Sequence, residues 1–158
     1  MAFSYYRLVR LLPIAFAAHI AEELLCRFPR YAHAITGHPM PLPLFLGSNI
    51  AFIAIMALLA RRAARARTPA ANVWLLAWSA GNQFWNFVFH LLLVVGYDRH
   101  SPGLVTGALI YLPLSLFLWQ AALTEKVVRP AALGGAIALG GAWMAAVAAF
   151  AIFHLGGV

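Results

Sequence analysis

The chain has 158 residues, 64% of them hydrophobic and 9% charged, with a mean hydropathy of +0.85. Soluble domains carry about a quarter charged residues, so this composition excludes an ordinary water-soluble domain, and the length admits one domain, residues 1–158. The net charge of +7 raises nucleic acid as a partner, but the basic residues lack interleaved aromatics and a soluble platform, and nucleic acid is set aside.

Five stretches, about 8–26, 43–60, 71–95, 104–122 and 131–153, are long enough to cross a hydrocarbon core, which takes roughly 17–25 apolar residues. In lipid each must be helical to satisfy its own amides. The expected fold is an all-α polytopic membrane bundle.

The first span opens with Arg7, Arg10 and a short apolar run ending Ala15-Phe16-Ala17, a pattern shared with signal peptides. Cleavage there would strand the most informative residues of the chain at a frayed terminus, so the segment reads as a true span. Those residues are His19-Ile20-Ala21-Glu22-Glu23, which hold half of the four acids in the chain. A charged group near the bilayer centre costs roughly 2.5–3.5 kcal/mol on insertion scales, so such residues face protein or water and have a purpose. Cys26 is the single cysteine, which excludes an internal disulfide and a thiolate metal cluster. The longest connection follows, Arg27–Leu42, with three prolines and the solvated His33 and His38.

Ser48 and Asn49 interrupt an otherwise apolar second span. The run Arg61-Arg62-Ala63-Ala64-Arg65-Ala66-Arg67 then sets the topology. Placing it in the cytoplasm puts eight Lys and Arg inside and leaves only Arg27, Arg30 and Arg99 outside. The positive-inside rule therefore gives N-terminus in and C-terminus out, in a membrane that reads as the bacterial inner membrane.

Along the third span Asn82, Asn86 and His90 recur at four-residue steps and form one polar stripe flanked by Trp78 and Trp85. The tight outer loop Asp98–Gly103 carries His100 and the turn Ser101-Pro102-Gly103. In the fourth span Pro113 should kink the helix and free a carbonyl near Leu109, beside Tyr111. The last span carries small residues at four-residue spacing, Gly134, Ala138 and Ala142, then Gly141 and Ala145. Such patterns suit close packing within the chain or between copies, making a homo-oligomer a candidate assembly. His154 at its outer end, like Tyr5, Tyr6 and Tyr97, reads as interfacial.

Depth tests whether these polar groups share a site. At 1.5 Å per residue, His19 lies about 10 Å below the outer surface, His90 and Asn49 about 9 Å and Tyr111 about 12 Å. Four helices thus offer polar groups at one level. Neutral histidine and carboxylate are ordinary ligands for zinc or non-haem iron. His19, His90 and one of Glu22 or Glu23 make a two-histidine, one-carboxylate set, and the second carboxylate can orient a ligand or act as a base. Asn49, Asn82 and His100 are supporting residues, and Glu22, Glu23, Asn86 and Tyr111 are catalytic candidates. The expected function is a membrane enzyme, metal-dependent or, without metal, using the buried His–Glu pair as an acid/base couple, acting on a lipophilic or amphiphilic small molecule. Isomerase, cyclase, hydrolase and oxidoreductase are not distinguished. The alternative is a transporter or binding protein for protons, a metal ion or a small solute.

A structural reading stands beside these. Glu23 is four residues before Arg27, the favourable order for a helical ion pair, and His19 and Glu22 could bond Asn86 and His90 to fix helix register. Glu22 has no such cation and should be protonated, metal-bound or matched to a histidinium.

These residues carry a resemblance. His19-Ile20-Ala21-Glu22-Glu23 matches the name-giving motif of the HXXEE family of integral membrane proteins, Asn86-Phe87-Val88-Phe89-His90 is similar to its Asn-x-x-x-His element, and His100-Ser101-Pro102-Gly103 resembles its Tyr-x-Pro-Gly turn. The elements fall in family order within residues 19–118. His100 stands where the family has tyrosine, so no role for that phenol carries over. The resemblance implies a multi-span membrane protein without a settled activity.

Overall fold

A computed structural model describes residues 4–154, and among them every regular element is helical. In chain order these are α1 (Tyr5–Val9), α2 (Leu12–Leu25), α3 (Phe28–Thr36), α4 (Leu42–Ala66), α5 (Pro69–Ser79), α6 (Asn86–Tyr97), α7 (Leu104–Thr106), α8 (Leu112–Thr124) and α9 (Pro130–Ala146). Three π-helical segments join or extend them: Ala80–Trp85 between α5 and α6, Gly107–Tyr111 between α7 and α8, and Val147–Ile152 after α9.

Three helical runs are long and apolar enough to cross a membrane, Leu42–Ala66, Leu104–Thr124 and Pro130–Ile152, and they suggest membrane association. The first expected span is broken between α1 and α2, with Pro13 opening the second piece. The third is continuously helical from Pro69 to Tyr97 through its π segment, with Asn72, Asn82, Gln83 and His90 buried along it. The connection 27–42, expected to be loop, contains α3. Its Pro29 sits in the first turn, where a missing N–H is harmless, and its buried Phe28 and Ala32 face the bundle. Tyr5 is not interfacial: its side chain is fully buried, and its backbone N–H donates to the Glu125 carboxylate at 2.7 Å.

Side chains bolt the helices to one another through main-chain carbonyls. Gln83 Nε2 donates to Leu12 O at 2.9 Å, Trp85 Nε1 to Ile137 O at 2.9 Å and Trp78 Nε1 to Phe52 O at 3.3 Å. Where hydrophobic contrast with the surroundings is small, such bonds and close packing hold a bundle together. The closest packing joins α9 to the α5–π run. A Cβ on Gly140 would lie 2.6 Å from Gly81 N and 2.7 Å from Ala77 O. Both are backbone atoms that cannot swing aside, so Gly140→Ala should destabilise the fold by about 1–3 kcal/mol through overpacking. Gly47, inside α4, faces open space, and Gly47→Ala should gain up to about 1 kcal/mol from helix propensity. Thermal unfolding of the two variants in detergent checks the contrast.

The Pro113 expectation has a specific structural counterpart. The helix takes a π register over Gly107–Tyr111 before Pro113 enters the first turn of α8. A π turn absorbs an extra residue and re-aims neighbouring side chains, and such turns recur at functional sites. Here it carries Tyr111 into the interior, fully buried.

Candidate metal centre

The C-terminal half of α2, the middle of α6 and the 98–103 loop entering α7 meet at one end of the bundle. His19 and Glu23 lie one turn apart on α2, a 40° offset that presents both side chains to α6, where His90 faces them. His19 and His90 are fully buried and Glu23 is 4% exposed. Glu23 Oε1 lies 3.2 Å from His90 Nε2 and 3.6 Å from His19 Nε2. The imidazoles meet edge to face, with centroids 5.2 Å apart.

The far side of each ring is anchored. His19 Nδ1 lies 2.8 Å from Thr106 Oγ1, and His90 Nδ1 lies 2.8 Å from Ser101 Oγ. The Thr106 hydroxyl donates to Gly103 O at 3.4 Å, so its oxygen accepts from His19 Nδ1–H. That assigns the proton of His19 to Nδ1 and turns the Nε2 lone pair toward Glu23. Hydroxyls in this position fix the tautomer and orientation of ligand histidines. Neither Nε2 has a hydrogen-bond partner among the described residues.

The spacing fits an ion. Charge-assisted N–H···O bonds run about 2.7–2.9 Å, and both Nε2–Oε1 separations exceed that. Ligand atoms held tetrahedrally at roughly 2.1 Å from zinc lie about 3.4 Å apart. One ligand atom from each of His19, Glu23 and His90 falls within 4.8 Å of the others. A buried carboxylate without close hydrogen bonds is costly, and a cation held among these three groups would supply the missing partner.

Of the two acids offered by the motif for the two-histidine, one-carboxylate set, the structure places Glu23 in it. Glu22 stands outside the group. Its carboxylate accepts from Thr106 N–H at 2.7 Å, Gly103 N–H at 3.1 Å and Val105 N–H at 3.2 Å. It thereby closes the amides at the start of Leu104–Thr124, a capping role that also suits the positive end of the helix dipole. The Glu23–Arg27 pair does not form. An i to i+4 pair needs helix through both positions, and α2 ends at Leu25, with Arg27 in the left-handed region at φ 61°.

The other candidates divide. Tyr111 stacks on His19 at 4.5 Å, and its hydroxyl is buried without a hydrogen-bond partner among the described residues. Asn86 is one turn before His90, and its Oδ1 is likewise buried and unpartnered. Asn49 and Asn82 donate to Phe45 O and Trp78 O within their own helices, both at 2.9 Å. Together with Asn86 and Glu23 they line a cavity of about 440 Å³. His100 is exposed in the loop, outside the converging group. The His154 ring is 4.6 Å from that of His38.

Sequence reasoning missed Ser101, Gly103 and Thr106 as individuals, although it singled out their turn. Gly103 packs directly on the site: a Cβ there would lie 2.7 Å from His90 Cε1 and 2.8 Å from His19 Cε1. Its φ of +99° is also a glycine conformation. Pro102-Gly103 thus lets the loop lie flat across both imidazoles while Ser101 and Thr106, on either side, reach their Nδ1 atoms.

Comparison with curated proteins and with solved structures gives no match. The family model described as "Protein of unknown function with HXXEE motif" matches residues 10–118, a range that holds His19, Glu22, Glu23, His90 and the capping turn. The chain belongs to the HXXEE family.

Proposed function

We propose that this protein is an integral membrane metalloenzyme, dependent on zinc or non-haem iron, that acts on a lipophilic or amphiphilic small molecule. The observation that carries the reading is the convergence of His19 Nε2, His90 Nε2 and a Glu23 oxygen in a buried site, with both Nδ1 atoms tied back by hydroxyls. These three residues would hold the ion, which when bound supplies Lewis acidity or, if it is iron, access to redox chemistry. The chain supplies the rest. Thr106 and Ser101 orient the rings, Glu22 fixes the turn that carries them, and the Tyr111 hydroxyl is a proton-bearing group in the interior beside His19. The adjacent cavity gives a small molecule a place beside Glu23.

The reading includes a single domain with five spans, N-terminus in and C-terminus out, in a bacterial inner membrane. Its support is the charge pattern of the loops. It also includes a homo-oligomer packed through the last span, since Gly134, Ala138 and Ala142 are exposed on α9.

Elemental analysis of purified protein tests the centre. Close to one zinc or iron per chain is expected in the wild type and almost none in His90→Ala, with helical circular dichroism retained. A wild type without metal would overturn the metalloenzyme reading. Ion uptake into proteoliposomes through the same residues would move it to transport.

A further inference from the structure

A separate open pocket of about 720 Å³ lies where the end of α2, α3 and the first turn of α4 meet. Arg27, Arg30 and His33 line it, at three-residue steps along the start of α3. The left-handed turn at Arg27, with φ 61°, takes the chain from α2 into α3 and leaves that side chain on the same pocket as Arg30. Leu24, Met40 and Leu42 supply the apolar part of the lining. Pro29 and Pro39 stiffen it, because a fixed φ leaves little backbone freedom to lose when a ligand enters.

Charge and shape narrow the occupant. Among the described residues no acid lines this pocket, and neither arginine pairs with one. The nearest acids in sequence, Glu22 and Glu23, are turned to the Thr106 amide and to the histidines. Two fixed positive charges therefore share a concave space without an internal counterion. A phosphate monoester carries about −1.5 to −2 charges at neutral pH and three acceptor oxygens, which suits two guanidinium forks with an imidazole beside them. A carboxylate has one charge and two oxygens, enough for a single fork. Free phosphate would leave Leu24, Met40 and Leu42 uncovered, whereas a chain attached to the phosphate covers them. Leu42 and Leu44 are exposed at the start of Leu42–Ala66, a run apolar enough to cross a membrane. Cations at the end of such a run stand at headgroup level.

We infer that this pocket binds an amphiphile with a phosphate monoester headgroup, the phosphate held by Arg27 and Arg30 with His33 beside it and the start of its chain lying over Leu24, Met40 and Leu42. The site is separate from the metal centre and needs no ion there. It shares with the proposed function only the membrane setting.

Native mass spectrometry of the full chain, released from neutral detergent with equimolar dioleoyl phosphatidic acid and phosphatidylcholine, tests it. The wild type should retain phosphatidic acid in preference to phosphatidylcholine, close to one per chain. Both arginines are exposed, so their replacement spares the core. Arg27→Gln and Arg30→Gln should each weaken the preference about tenfold, the scale of one charge-assisted hydrogen bond lost. Arg61→Gln combined with Arg62→Gln removes two charges from the other end of α4 and should leave the preference unchanged. No preference in the wild type, an unchanged preference in both pocket variants, or an equal loss in the Arg61→Gln, Arg62→Gln protein would overturn the inference. Phosphatidylglycerol, a singly charged diester, should be retained less well, and equal retention would overturn the monoester assignment. Inorganic phosphate should displace the lipid no better than sodium chloride of the same ionic strength; specific displacement would assign the pocket to a soluble phosphate and overturn the amphiphile. Metal content of the same samples keeps the two readings apart. A metal-free wild type that prefers phosphatidic acid leaves the pocket and removes the metalloenzyme, whereas a metal-loaded wild type without the preference does the reverse. His90→Ala should lose metal and keep the lipid preference.

Discussion

Glu23→Gln should remove bound metal while Glu22→Gln keeps it, although the two acids are adjacent. Glu23 is buried between two imidazoles whose Nε2 atoms lie 3.2 and 3.6 Å from its oxygen. The amide is nearly isosteric and preserves the packing, but it removes the negative charge that would balance the proposed ion. A fall in metal affinity of at least about 100-fold is expected, at the upper end of what even outer-shell changes produce. Glu22 instead caps a helix with three N–H bonds. As glutamine it keeps one acceptor oxygen and turns an NH₂ toward one of those donors. The expected loss is about 1–2 kcal/mol of stability, the scale of a lost N-cap, with metal stoichiometry unchanged. Elemental analysis and thermal melts on the two variants give this crossed result. Loss of metal from Glu22→Gln with retention in Glu23→Gln would reverse the assignment.

That crossing shows what was legible in the sequence. His19, Glu22 and Glu23 share an arc of about 100°, and the sequence treats the arc as one face. The structure divides it, because the edges of the arc meet different neighbours. Glu23 meets α6, and Glu22 meets the loop that begins Leu104–Thr124. Helical phase tells which side chains leave a helix together, not what waits for each. The Arg27 pairing fails for a related reason: it needs helix two residues past the end of α2, and Pro29, a loop signal in the sequence, occupies the first turn of α3. Depth was the better guide. It brought His19, His90 and Tyr111 to one level from separate spans, and in the structure the His19 ring touches both of the others. The hydroxyls of Ser101 and Thr106 were not legible, because serine and threonine beside a Pro-Gly turn are ordinary turn residues until the rings they serve are in place.

Gly103→Ala should abolish the centre by adding one methyl group, and Gly37 provides the control. Both glycines adopt positive φ, +99° and +77°, so alanine strains the backbone at each by about 1–2 kcal/mol. They differ in surroundings. A Cβ at Gly37 meets nothing within 4 Å, whereas at Gly103 it would lie 2.7 Å from His90 Cε1, 2.8 Å from His90 Nε2 and 2.8 Å from His19 Cε1. Neither ring can retreat easily, since Thr106 and Ser101 hold their Nδ1 atoms at 2.8 Å, and Phe28 stands edge-on to His90 at 5.5 Å. The methyl group must therefore push the imidazoles apart or lift the turn. Lifting the turn also withdraws the Gly103 and Thr106 amides from Glu22. Gly37→Ala should lose only the strain and bind metal normally. Gly103→Ala should lose the strain energy, about 1–3 kcal/mol more from overpacking, and nearly all metal. Metal retained at wild-type stoichiometry in a folded Gly103→Ala protein would mean that the loop does not press on the histidines, and that the site is held by α2 and α6 alone.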